Sequence, residues 1–365
     1  MFKYGKTESN YIKGIAIILM FYHHLFGFKS WIDPNLIFFE LNIGNSSLES
    51  VIASFCKICV GLYIFTTGYS LLNHDSKNWK QRLFKIFKFL SNYWFIFFIF
   101  LLFGLLYHEP FSPINRLLKQ LFGIATATGF NWDYFNGIHP VFAWYVSFYI
   151  SFILLSPFLK KICIFNFWAD NILMLILFYG GYTIILYQPY FTFGQTLLSL
   201  LNNFVTWGYI GMLGYTFSKY SIFQKWDTFL THLLNKSLIL VLSFFSIIFM
   251  ILLHNYIGNY LVGKFSIFSI FTPIFIYSIL FIFRYFNINR IKKTLLSLSA
   301  QSMYMWFLHG IFFTPDKTLQ PMIYCLKYPI IILLFSLFIC YTASVFISKI
   351  TSLPFMHLSS HYKNT

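Results

Sequence analysis

Acidic side chains are scarce in this chain. Ten Asp and Glu stand against 26 Lys and Arg in 365 residues, and charged residues of both signs make up only 10 % of it. Soluble domains carry about 25 % charged residues, so a chain this poor in charge cannot dress a water-facing surface. None of the ten acids falls in the middle of an apolar run, which argues against a proton-coupled transporter. Cysteine is also sparse. Five cannot all pair, and Cys56, Cys59, Cys163 and Cys340 lie inside or beside apolar runs, where they read as small hydrophobes and not as a disulfide framework. "CKIC" at 56–59 has the spacing of half a zinc site, but no second half exists and no metal is assigned. No connection is long enough for a second folded domain; the largest, roughly 108–139, leaves residues 1–365 as a single domain. Paired Gly/Pro-interrupted halves, the mark of many transporters, are absent too.

What the chain does have is apolar: 58 % hydrophobic and 23 % aromatic residues, 50 of them Phe. This is the composition of an all-α integral membrane protein. Ten runs approach the ~20 residues needed to cross a bilayer: roughly 12–28, 50–72, 87–107, 140–158, 171–188, 196–217, 237–257, 265–283, 294–313 and 328–348. A bundle of about ten transmembrane helices is expected, with the shorter, Gly- and Thr-rich stretch 117–130 as a re-entrant or surface element. An even number of spans puts both termini on one side. Nineteen basic residues fall on that side and six on the other, with Lys57 at a helix edge, which is the positive-inside pattern with both termini cytoplasmic. The formal net charge of +16 is thereby explained by anchoring to an anionic leaflet, and no nucleic acid is implied. The apolar run after Lys13 contains histidines and no small-residue cleavage site follows it, so the first helix is expected to stay in the protein.

Those histidines carry the first functional signal. In "YIKGIAIILMFYHHLFGF", residues 11–28, two imidazoles sit where a membrane helix should be most apolar. An ionisable residue there marks a functional site, or a side chain bonded to a neighbouring helix. Lys13 and His24 are eleven residues apart, three turns of helix, so they share a face ~16 Å apart while His23 points elsewhere. A cation at one end of that stripe and an imidazole deeper in suit the two ends of one long ligand. Neutral imidazole is also fitted to take a proton from a hydroxyl. After the second run, Arg82, Lys85 and Lys88 recur every three residues; they read either as positive-inside anchors or as cations awaiting phosphates. His309, with Ser302 seven residues earlier on the same face, could orient an acceptor sugar or bond a carbonyl. Trp144 and Tyr145 could stack on a sugar ring or belong to an interfacial aromatic belt. His139, Glu109, Asp133 and Glu49 are acid or base candidates that no spacing distinguishes.

Taken in order, "KGIAIILMFYHH", "FTTGY", "RLFK", "AWYVSFYISFILLSPFL" and "MYMWFLHG" resemble the membrane acyltransferase type 3 family across nearly the whole chain. The resemblance implies an O-acyltransferase of the bacterial cytoplasmic membrane. Such an enzyme takes an acyl group, usually acetyl from acetyl-CoA, and places it on a hydroxyl of a cell-surface glycan or glycolipid. It also implies His24 as the catalytic histidine, Lys13 as its motif partner, and Arg82 and Lys85 as the basic pair that handles the donor. Acyl-CoA, the acceptor, the bilayer and proteins of glycan biosynthesis are the partners it implies, and no permanently bound cofactor. Lys13 stands where the family more often has arginine, and Lys85 where Arg is frequent, so the charge is kept but the bidentate fork is lost. A glycan exporter would share the many spans and buried polar residues, with the basic cluster on a polyprenyl pyrophosphate. A glycan polymerase would need a large outward loop rich in Arg and His, and residues 108–139 hold only His108, Arg116 and His139 of those types.

Overall fold

The computed structural model describes residues 2–44, 46–71, 79–106, 121, 144–186, 195–258, 267–310 and 320–362. Helix α1 (Lys6–Phe26) is followed by an extended stretch ending in a two-stranded hairpin, β1 (Asn42–Ile43) against β2 (Ser46–Ser47). Then come α2 (Leu48–Phe55), α3 (Ile58–Ser70), α4 (Trp79–Leu106), α5 (Trp144–Ile162), α6 (Phe167–Leu186) and α7 (Gln195–Lys219). The chain continues through α8 (Ile222–Leu233), α9 (Lys236–Gly258), α10 (Thr272–Phe286), α11 (Asn289–Leu308), the short α12 (Gln320–Tyr324) and α13 (Pro329–Tyr362). Residues 117–130, apart from Leu121, lie outside the described residues, as do His108, Glu109, Arg116, Asp133 and His139.

Each of the ten apolar runs overlaps a helix. Seven of the segments, α2–α3 taken as one together with α4, α5, α6, α9, α10 and α13, are long and apolar enough to cross a membrane by length and composition. The protein is therefore a multi-pass membrane protein. Three other helices, α1, α7 and α11, are 21, 25 and 20 residues long but fall short in apolar composition. The reason is their position. Helix α1 packs between α3 and α11, α7 against α3, α5 and α6, and α11 against α1, α4 and α13, so protein covers faces that would otherwise need to be greasy. The run at 265–283 also begins late as a helix: Ile267–Phe271 is a 3₁₀ turn, and Pro273 in the first turn of α10 sets the start where a missing N–H costs nothing.

Close helix crossings depend on glycine. Gly14 of α1 leaves no room for a Cβ against the backbone of Leu295 in α11. Gly68 of α3 lies against the carbonyl of Gly211 in α7, and Gly214 against that of Phe65. These contacts are the small-residue packing that membrane helices use when no hydrophobic effect drives them together.

The α2–α3 span breaks near its middle. Lys57 N–H reaches back to Ser54, Cys59 N–H to Cys56 and Val60 N–H to Lys57, each three residues instead of four. The carbonyl of Ala53 loses its α-helical donor there, and His23 Nδ1 takes it at 2.7 Å.

At the end of the bundle that holds the N-terminus, α8 carries Asp227, 4 % exposed. It accepts from the Phe2 N–H (2.8 Å), the Tyr277 hydroxyl (3.2 Å) and both arms of the Arg284 guanidinium (3.2 and 2.5 Å). Burial alone would raise this carboxyl. The hydrogen bonds from Arg284, Phe2 and Tyr277 outweigh it and hold Asp227 below the usual carboxylate range.

Candidate active site

Two helices that run in parallel build the centre. The start of α1 is fixed by Glu8, whose carboxylate accepts from the Gly5 N–H at 2.9 Å, and its inner face is Ile12, Gly14, Ala16, Ile17, Met20 and Phe21. Contact of Gly14 with Leu295 brings α11 close enough that the ring of His309, at the C-terminus of α11, lies 4.7 Å from the ring of His24. His23 lies 4.9 Å from His24 on the other side. His309 is fully buried and His24 is partly accessible.

The hydrogen bonds of these rings decide their tautomers. His24 Nδ1 pairs with the Met20 carbonyl at 3.0 Å, His23 Nδ1 with that of Ala53, and His309 Nδ1 with that of Trp306. A carbonyl oxygen only accepts, so each Nδ1 carries the proton and each neutral ring keeps its lone pair on Nε2. The His24 ring is thus held by its own helix through Nδ1, whereas the ring of His23 is bonded to a neighbouring helix.

Aromatic rings wall the site. Trp306 packs at 6.4 Å from His309, 5.2 Å from Tyr63 and 5.4 Å from Tyr145, so Tyr145 joins the histidines through one indole. Trp144 turns the other way and stacks on Trp207 at 5.7 Å, which occupies one face of its ring. Ser302 is buried, within hydrogen-bond reach of the Tyr63 hydroxyl. Lys13 is partly buried on α1, and the Tyr63 hydroxyl donates to its carbonyl at 3.2 Å.

The basic pair divides. Arg82 is buried between α4 and α5, its guanidinium 3.4 Å from both the Ile153 carbonyl and Ser156 Oγ and 5.6 Å from the Trp79 ring. Lys85 and Lys88 are exposed. A spacing of three advances the helix 300°, enough to carry one cation inward and leave the next outside. Glu49 is buried and accepts from the Leu41 N–H, so it serves the hairpin.

Two residues escaped the sequence reading. His254 of α9 lies 3.4 Å from Ser54 Oγ, and its signal was the same as that of His24, a lone imidazole in an apolar run. Lys57 is at a helix edge, as the N-cap of α3, and that edge lies at the α2–α3 break inside the span, within electrostatic reach of His23, His24 and His254. Cys56 and Cys59 on either side of it are buried core residues, as are Cys163 and Cys340.

Searches of curated proteins and of solved structures returned no match. A family model described as an acyltransferase domain matches residues 7–353, a range that takes in α1, the paired histidines, the basic pair and all but the last turns of α13. The chain therefore belongs to the acyltransferase type 3 family and is a membrane acyltransferase.

Proposed function

We propose that this membrane acyltransferase moves an acetyl group from acetyl-CoA to a hydroxyl of a cell-surface glycan or glycolipid, with His24 as the catalytic base. One observation carries the reading: His24 Nε2 is the basic nitrogen of a ring whose Nδ1 is tied to Met20 and whose flank is packed by the buried His309. In the transfer, Nε2 removes the proton of the acceptor hydroxyl. The oxygen attacks the thioester carbonyl, the carbon–sulfur bond breaks, and the thiolate recovers the proton from His24. The products are an ester and free CoA. A relay in which Nε2 itself is acylated first uses the same nitrogen.

With both termini on the cytoplasmic side of a bacterial plasma membrane, Lys13 lies toward the donor side and His24 toward the acceptor side. Lys13, Arg82 and Lys85 then hold the CoA phosphates at the cytoplasmic edge. The histidine end meets the acceptor, with Tyr145 and His309 toward the sugar and Trp144 at the rim.

The experiment supplies radiolabelled acetyl-CoA to membranes holding the intact chain or His24→Ala at matched protein level. Label in the glycan or glycolipid fraction that disappears with His24→Ala is the expected outcome. No label from either membrane, with surface glycan still dependent on the protein, would replace acetyl transfer by glycan export.

A further inference from the structure

Lys57 is a cation in an unusual place. It opens α3 nine residues from one end of the Leu48–Ser70 span and thirteen from the other, ~14 and ~20 Å at 1.5 Å per residue, further than a four-carbon stem reaches. Among the described residues no carboxylate lies within ion-pair distance of it, and the groups that act on it or feel it are His23, His24, His254 and Cys59. Its side chain is nevertheless accessible. An ionised side chain at such depth is costly and persists where it meets a negative partner.

The register of α1 against α2–α3 says where that partner sits. His23 meets Ala53 and the Lys13 carbonyl meets Tyr63, ten residues apart along each of these antiparallel helical segments. Lys57 is therefore level with about residue 19, one turn or ~6 Å from the histidines toward Lys13, with Lys13 itself ~9 Å further along. The first turn of α3, the positive end of its dipole, begins at this same level.

We propose that Lys57 is a catalytic residue that receives the carbonyl oxygen of the acyl group and the negative charge it gains during transfer. The inference rests on His24 as base. As the acceptor oxygen bonds to the acyl carbon, the carbonyl π pair moves onto oxygen beside the ammonium, which keeps its proton. The pair returns as the carbon–sulfur bond breaks, and the thiolate takes the proton held by His24. A donor laid from Lys13 toward His24 brings its thioester past Lys57 just before it reaches the base.

The test compares the full chain with Lys57→Met and Lys57→Arg in detergent, following CoA release from acetyl-CoA together with thermal unfolding. Lys57→Met should lower kcat about 100-fold, the scale seen when one oxyanion donor is removed, with KM for acyl-CoA and acceptor within about 3-fold. Its unfolding temperature should hold or rise, because an uncompensated cation has left the membrane interior. Lys57→Arg should keep more of kcat than Lys57→Met. Unchanged kcat, equal loss in both variants, or a rise in acceptor KM alone would overturn the proposal, the last marking an anionic group on the acceptor as the ligand. Should the parent transfer no acyl group, the acetyl-transfer reading fails by itself, and a second readout decides for Lys57. Carbethoxylation of His24 by diethylpyrocarbonate, followed by peptide mass spectrometry, passes through an oxyanion at the same place. It should be several-fold slower in Lys57→Met, and an unchanged rate overturns the proposal.

Discussion

Helix α9 and helix α1 are of similar length and cross the same bundle, yet they follow opposite rules. Only 17 % of the membrane window of α9 is buried, and Val241, Phe245, Ile248 and Leu252 are each more than half exposed to what is lipid in the cell. On α1 the exposed positions are few, and Gly14, Ala16, Met20 and His23 face protein. The segment most plainly built for membrane contributes its greasy surface and one inward histidine, His254. The helix that fails the apolar test carries Lys13 and the paired histidines. In this bundle lipid sets the sequence of the rim and helix packing sets the sequence of the interior, so the least hydrophobic long helices carry the candidate site.

The strongest way to break that comparison is to disturb packing on each side of it. Gly68→Ala puts a Cβ where the carbonyl of Gly211 already is, between α3 and α7, and should cost about 2 kcal/mol or more in unfolding free energy with a matching loss of folded yield. Gly180→Ala on α6 meets no atom within 4 Å and should stay within about 0.5 kcal/mol. Equal effects from the two would mean that the inner crossing is looser than its geometry. One step smaller is His309→Ala, which removes the ring packed 4.7 Å from His24. It should lower kcat on the order of 100-fold through misplacement of the base, with the unfolding midpoint changed far less than by Gly68→Ala. A loss confined to acceptor KM would show that His309 acts on the sugar alone and does not position the base.

Much of this was legible in the residues because membrane helices are read by two simple periods, length and face. The eleven-residue interval of Lys13 and His24 fixes one stripe, and the separation of His23 from that stripe matches its separate task at Ala53. What the residues could not show is what happens between helices. The break at Ala53–Lys57 leaves no composition signal: no Pro or Gly lies there, and "CKIC" drew attention to its cysteines and not to its lysine. The division of Arg82 from Lys85 depends on which way α4 is rotated against α5, and the pairing of His24 with His309 on a Gly14 contact some 280 residues apart in sequence. Neither is a local property.

Asp227 gives a middle-sized effect outside the spans. Its carboxyl titrates below the usual carboxylate range, so it binds fewer protons folded than unfolded near pH 4. The stability it contributes is present above its ordinary value of about 3.9 and is lost as pH falls through the folded value. Asp227→Asn should cost about 1–2 kcal/mol at pH 7, less than a fully buried pair because the Arg284 side chain is 40 % exposed. The gap between variant and parent should close as unfolding is measured at lower pH. A gap independent of pH would assign the loss to hydrogen-bond geometry and not to charge.

The smallest effect belongs to the rim. Phe245→Leu on α9 changes a side chain that is 64 % exposed and whose near neighbour is Phe249, a stacked ring on the same lipid-facing surface. Lipid chains are as apolar as either residue, so no hydrophobic driving force distinguishes them. Both the unfolding midpoint and kcat should stay within the equivalent of about 0.5 kcal/mol. A larger loss would show that α9 is covered by protein in the membrane, and that His254 reports on a second contact surface as well as on the site.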